Sequence, residues 1–187
     1  MRRVTCLAAA GLWLLLAGCG DDDDVTKFGD VDDVRAYRTA LNPLIDEASA
    51  IESEVAEVVD PDGVSIDSRL NAVFLELRPR LIAVHEGLEQ LRPPRKLQGL
   101  HDEIMQMVQL RLDGFQILID GFAAADTSVY PTAIERRQQA DELIAGINEQ
   151  LCEIDIVLGD RDDCRLLAYA ADDVVPPDKA DVTQSAT

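Results

Sequence analysis

An all-α fold, an up-down-up-down four-helix bundle, is what this sequence predicts, and three observations predict it. Apolar residues recur at alternating spacings of three and four along most of the chain, which is the signature of one buried helix face. No stretch alternates with period two over a useful length. Clusters of turn-forming residues cut the pattern into four amphipathic segments of roughly 25–30 residues, which short turns can pack antiparallel.

The first segment carries Val34, Tyr37, Leu41, Leu44, Ala48, Ile51, Val55 and Val58, and Asp60-Pro61-Asp62-Gly63 ends it. The second runs through Ile66, Leu70, Phe74, Leu77, Leu81, Val84, Leu88 and Leu91, and Pro93-Pro94 stops it. The third takes Leu97, Leu100, Ile104, Val108, Leu112, Phe115, Ile119 and Phe122. Asp126, Thr127 and Ser128 offer caps for the fourth, and Pro131 is tolerated in its first turn. That segment uses Ile134, Leu143, Ile147, Leu151, Ile154 and Leu158 and ends at Gly159.

Two prolines interrupt the pattern. Pro79 kinks the second helix, whereas Pro43 either kinks the first or starts it, since Asn42-Pro43 with Asp46 and Glu47 reads as an N-terminus. Their midpoint falls in the first turn, so a symmetric hairpin sets both at one level with a matched bend. Asp113-Gly114-Phe115 recurs one heptad later as Asp120-Gly121-Phe122. Glycine costs about 1 kcal/mol against alanine inside a helix, and two on one face read as a site of close helix approach.

Ahead of the helices, Met1-Arg2-Arg3 is a short positive region, Val4 to Ala17 is apolar, and Leu16-Ala17-Gly18-Cys19 follows. Charge, apolar run and small residues in that order mark a secretory signal, and the run is too short to span a bilayer comfortably. The Leu-Ala-Gly-Cys ending resembles the lipobox of bacterial lipoproteins, in which the cysteine is lipidated and becomes the new N-terminus. The resemblance implies cleavage before Cys19 and a lipid anchor at a membrane of the cell envelope. Gly20, rather than Asp, after the cysteine implies the outer membrane by analogy with the enterobacterial sorting rule, provided the host has one. The acidic run after Cys19 also resembles surface-export signals of some bacterial lineages. Leu88 to His101, leucines around Pro-Pro and then Leu-His, resembles a pattern in helical bacterial lipoproteins, and it implies a fold and no activity.

The expected division is thus a signal peptide over 1–18, a lipidated cysteine with an acidic solvated tether over 19–30, the bundle over 31–171, and a disordered polar tail over 172–187. Cys6 leaves with the signal and Cys19 carries lipid, so Cys152 and Cys164 remain. In an oxidising compartment such a pair usually bonds. The loop stabilises the fold by about 3 kcal/mol in the chain-entropy model, and it pins the segment after the fourth helix back against it. Two free thiols or a metal pair are the alternatives. Removal of 1–18 leaves 15 cations against 36 acids, a net charge of −21. Such a surface repels nucleic acid and favours cationic partners. Trp13 also leaves with the signal, taking the side chain best suited to stacking on sugars.

Few constellations carry chemistry. His85 and His101 flank Pro93 symmetrically, with Met105 one turn after His101 and Glu89 one turn after His85. Imidazole with thioether suits copper and imidazole with carboxylate suits zinc, so His85, His101 and Met105 are the candidate metal ligands, against a structural role for both rings. Attached-haem, His-Glu-x-x-His and di-iron Glu-x-x-His motifs are absent, as are a Gly-x-Ser-x-Gly elbow and a phosphate loop. Asp60-x-Asp62-Gly63 fails as a calcium loop because Val58 and Arg69 fall on ligand positions. No catalytic constellation emerges. Arg92, Arg95 and Lys96 concentrate three cations in the second turn. Up-down topology puts that turn at the N-terminal end, so they are expected to face anionic headgroups. The sequence therefore points to a non-catalytic binding or scaffolding lipoprotein with a protein partner and no cofactor beyond its lipid, or else to a small metal-binding one.

Overall fold

A computed structural model of the chain describes residues 25–58, 68–159 and 167. The expected signal segment, Cys19, the expected turn at Asp60–Gly63, Cys164 and the residues from Asp172 lie outside the described residues. Four helices pack on one another: α1 (Val31–Ala56), α2 (Ser68–Gln90), α3 (Gln98–Ala123) and α4 (Tyr130–Leu158). The all-α four-helix architecture is the one the apolar spacing predicts.

Local chemistry sets the helix ends. Asp30 caps α1, its carboxylate accepting from the backbone N–H of Asp32 at 3.0 Å and of Asp33 at 3.2 Å. Asp32 and Asp33 then place negative charge on the positive end of the helix dipole. α2 ends before Pro93-Pro94, and a single 3-10 turn, Arg95–Leu97, leads into α3. Asp126 accepts from Ser128 N–H at 2.9 Å and so caps the 3-10 turn Thr127–Val129, not the fourth helix as the spacing suggests; α4 follows from Val129 without a side-chain cap. Gly159, at φ 93°, closes α4 in the left-handed conformation that glycine adopts without strain.

The acidic stretch is folded as far back as Val25, against the expectation of a solvated tether through Asp30. Val25–Thr26 (β1) and Gly29–Asp30 (β2) form a minimal antiparallel hairpin. Its one aromatic, Phe28, is buried against the bundle, and apolar burial of one large ring is what draws these polar residues down. Thr26 Oγ1 donates to Gly29 O at 2.9 Å and accepts from Phe28 N–H at 3.2 Å, closing the turn from within.

Both prolines lie inside continuous helices, so Pro43 does not start α1. Each sits on an exposed face, where water can satisfy the carbonyl that proline leaves without a donor. They do not share a level. A Cβ on Gly87 would stand 2.7 Å from Leu44 Cδ2, so Leu44 packs directly on Gly87. That register puts Pro43 beside the last turns of α2, with Pro79 about 12 Å further along at 1.5 Å per residue. The α1–α2 hairpin is centred several residues beyond Pro61, because side-chain fit and not turn symmetry sets its register. The α2–α3 hairpin is centred close to Pro94, since Phe74 and Phe115, about equally far along their helices from that turn, meet with ring centroids 4.7 Å apart.

The buried faces follow the stripes with instructive exceptions. Ile45 is buried where Leu44 is only partly so, and Met107 and Arg111 are buried where Leu112 is partly exposed. In α4, Ile134 is half exposed while Ala133, Ala140 and Ile144 are buried. Small residues there allow α3 and α4 to close on each other. Gly114 faces the Ala133 carbonyl, at 3.5 Å from where a Cβ would stand. A Cβ on Gly121 would overlap Val129 Cγ2 and stand 3.0 Å from the Asp126 carbonyl oxygen. The repeated glycines thus serve close helix approach, and the isoleucine beside Ala133 is turned outward.

Candidate functional site

The hairpin, the second turn and the last turns of α4 meet at one end of the bundle. Lys96 Nζ donates to Thr26 O at 3.3 Å, and Lys27 pairs with Glu153 at 2.7 Å while lying 4.8 Å from the Phe28 ring centre. The basic turn therefore lies at the N-terminal end, as up-down topology requires. Arg92 donates to the carbonyls of Glu89 and Leu91, at 3.3 and 3.1 Å, and so satisfies the end of α2. Arg95 and Lys96 are exposed. Ile156 and Val157 of α4 are exposed apolar residues near this end.

His85 and His101 are within about one turn of the same height, given the Phe74–Phe115 register, yet they serve different partners. His101 is 6% exposed, and its Nδ1 is hydrogen-bonded to the Tyr37 hydroxyl of α1 at 3.2 Å. The two rings meet edge to face with centroids 6.0 Å apart. His85 Nδ1 lies 3.9 Å from Glu89 Oε1 on its own helix. Met105 packs partly buried against the core and Met107 is buried in it. Among the described residues no three His, Cys, Asp or Glu side chains converge as a metal-ligand group.

Burial pushes the Tyr37 hydroxyl well above the usual tyrosine range, with nearby Arg38 opposing and Asp102 adding to the shift. Burial likewise lowers His101 below its ordinary value, against the attraction of Asp102. The sign of the consequence follows from proton counting. An unfolded histidine binds its proton near pH 6.5, whereas the folded ring resists it, so below that pH the unfolded state holds more protons. The stability contributed by neutral His101 is complete above about pH 6.5 and declines as pH falls from there toward the lowered folded value. Urea unfolding between pH 7.5 and 5 is expected to show this decline, and His101→Gln is expected to flatten it. An unchanged pH profile in His101→Gln would assign the decline elsewhere.

Three buried charged groups lie on helix faces that the apolar stripes treat as core. Arg38 of α1 and Asp155 of α4 form a bidentate pair, Nε to Oδ1 and Nη2 to Oδ2 both at 2.7 Å, with side chains 4% and 6% exposed. Midway along the bundle, Arg111 of α3 meets Asp141 of α4 at 2.6 Å and Glu52 of α1 at 3.1 Å, and Arg137 stands 4.0 Å from the other Glu52 oxygen. The Arg111 Nε contact is an ion pair without hydrogen-bond alignment. Arg38, Arg111 and Asp155 were legible only as charges in the phase of a buried stripe.

Beside Arg111 is a cavity of about 10 Å³, room for one water. Ala48, Leu81, Met107, Ile144 and Leu167, the last from beyond α4, line it. Leu167 is 5% exposed, and the Asn148 carboxamide holds its backbone from both sides. Leu167 N–H donates to Asn148 Oδ1 at 2.9 Å, and Asn148 Nδ2 donates to Leu167 O at 3.1 Å. Neither residue carried a signal in the sequence beyond the expectation that the chain returns along α4.

Among the described residues no helix is long and apolar enough to cross a membrane. Comparison of the chain with models of protein families, with curated proteins and with solved structures finds no match.

Proposed function

We propose that this protein is a bacterial lipoprotein, held by a lipid on Cys19 at the extracytoplasmic face of a membrane. There its acidic helical domain acts as a non-catalytic binding or scaffolding module for a protein partner. The observation that carries the reading is the lipobox Leu16-Ala17-Gly18-Cys19 set a few residues ahead of a folded hairpin at Val25. Six residue steps from Cys19 to Val25 reach about 20 Å at full extension, so the anchor holds the hairpin end of the bundle close to the bilayer. Arg92, Arg95 and Lys96 at that end meet anionic headgroups. Gly20 favours the outer membrane in a host that has one.

Two features support a binding role over catalysis. The buried polar groups Arg38, Asp155, Tyr37, His101 and Arg111 are engaged with one another or with neighbouring carboxylates. The surface charge of −21 suits recognition of a cationic protein surface. A Cys152–Cys164 disulfide completes the domain. Its support is positional: Asn148 is one helical turn before Cys152, and Leu167, which Asn148 holds, is three residues after Cys164. Three residues span about 10 Å at most and the helical turn about 6 Å, chain lengths that a bond between the two thiols can close.

The test is export from a cell fed labelled palmitate. The wild-type chain is expected to take up label and to begin at Cys19 by mass, and Cys19→Ala to take up none. An unlabelled wild-type chain overturns the anchor. Hydrogen exchange over Leu91–Leu97 is expected to slow on anionic relative to neutral vesicles, and equal exchange removes the headgroup contact. Stoichiometric copper or zinc in the same preparation, lost in His101→Ala, would replace the binding reading by a metal site at His85, His101 and Met105.

A further inference from the structure

The chain enters the bundle through the hairpin of β1 and β2, and little holds that hairpin down. Each strand is two residues long, and a two-stranded ribbon of that size has no stability of its own in water. Its closure therefore depends on the surface beneath it. The Phe28 ring is buried there at 9% exposure. Lys96 Nζ of the second turn donates to Thr26 O at 3.3 Å, and Lys27 pairs with Glu153 of α4 at 2.7 Å. Both polar contacts are open to water, with the Lys27 and Glu153 side chains 57% and 46% exposed, so they add little to what the ring supplies.

The helix that follows does not need the hairpin. Asp30 caps α1 by accepting from Asp32 and Asp33 N–H, bonds that lie wholly on the helix side. Gly29, at φ 123°, stands between cap and hairpin in a conformation that side chains disfavour, and nothing lies within 4 Å of where a Cβ would stand. In chain order there is thus a segment fastened by one ring, a glycine pivot with room around it, and a helix start that caps itself.

We propose that residues 25–28 are a releasable strap that sets how far the domain stands from the membrane. The proposal rests on the reading of Cys19 as the lipid anchor. Closed, the strap leaves six residue steps between Cys19 and Val25, about 20 Å at full extension. The end that carries Arg95 and Lys96 is then held close to the bilayer. Open, the chain is first fixed at Asp30, eleven steps from Cys19, and the reach grows to about 37 Å. Release frees Lys27 and Lys96 from their partners and leaves the four helices packed. Local opening of this kind falls to the parts of a fold with the fewest buried contacts, and it lets a scaffolding domain meet partners at two heights above the membrane.

Two measurements on the exported, lipidated chain test the strap. On vesicles of neutral lipid, amides of residues 25–30 are expected to exchange roughly tenfold faster or more than those of residues 41–51, after correction for intrinsic rates. Phe28→Ser is expected to speed the first set by about tenfold again and leave the second unchanged. Equal protection of both sets in wild type, or a loss that Phe28→Ser spreads equally over both, would make the hairpin part of the cooperative core and overturn the proposal. The wild-type comparison decides this even if the serine variant does not fold. Neutron reflectometry on a supported bilayer then reads the height. The Phe28→Ser domain is expected to stand further from the headgroups than wild type, by up to about 17 Å for the five added steps. An unchanged height with faster hairpin exchange overturns the strap as a spacer. A chain that takes up no palmitate removes the anchor reading instead, and hydrogen exchange still decides whether the hairpin releases from the bundle.

Discussion

Asp155→Ala is expected to destabilise the folded chain by about 3–5 kcal/mol, the cost of removing one partner from a buried ion pair. The size follows from geometry. Two charge-assisted bonds of 2.7 Å join the groups, both side chains are nearly sealed from water, and the surviving guanidinium would stay in the interior without its carboxylate. Over a domain of this size that is a fall in Tm of roughly 10–15 °C. The double change Arg38→Met with Asp155→Leu is expected to recover most of the loss, because it removes both charges and keeps the volume. Urea unfolding of wild type, Arg38→Met, Asp155→Leu and the double variant gives the cycle directly. A single variant within about 1 kcal/mol of wild type would show that the pair is solvated in solution and carries nothing.

Arg111→Met is expected to cost about 3 kcal/mol, at the lower end of the same range. Its removal strands two carboxylates, but Asp141 is 28% exposed and can be hydrated, and Arg137 already stands 4.0 Å from Glu52. Glu52→Gln is expected to cost about 1.5 kcal/mol, because Arg111 keeps its 2.6 Å bond to Asp141. The predicted order by chemical denaturation is therefore Asp155→Ala, then Arg111→Met, then Glu52→Gln. If Glu52→Gln proved as costly as Arg111→Met, the weight of the cluster would lie on the Glu52 side, and the 2.6 Å contact to Asp141 would not be the main support.

These charges show where reading by periodicity stops. Arg38 lies four residues after Val34 and three before Leu41, and Arg111 three after Val108 and four before Phe115. Both stand in the phase of a buried stripe, so a reading that scores only apolar residues passes over them. With 36 acids in the chain, spacing could not say which carboxylates answer them. The same bias explains α4. Ile134 is large and apolar and so falls in the predicted stripe, but α3 and α4 close on Gly114 and Ala133, and burial there rewards small volume. The histidines show the opposite case, with position legible and partner not. Their similar height followed from symmetry about the Pro-Pro turn, whereas the bond from His101 to Tyr37 depends on how α1 lies against α3.

By itself the sequence determined four helical segments, most of their buried faces and the glycine that closes α4. Each of these depends on residues within a few positions of one another along the chain. Only the tertiary structure decided the offset of α1 against α2, the folding of Val25–Asp30 onto the bundle, the charge pairs across the interior, and the burial of Leu167 with its backbone held by Asn148. Those depend on which surfaces meet and at what register. A single close fit, Leu44 on Gly87 or Gly121 beneath Val129, sets that register, and no local pattern encodes it.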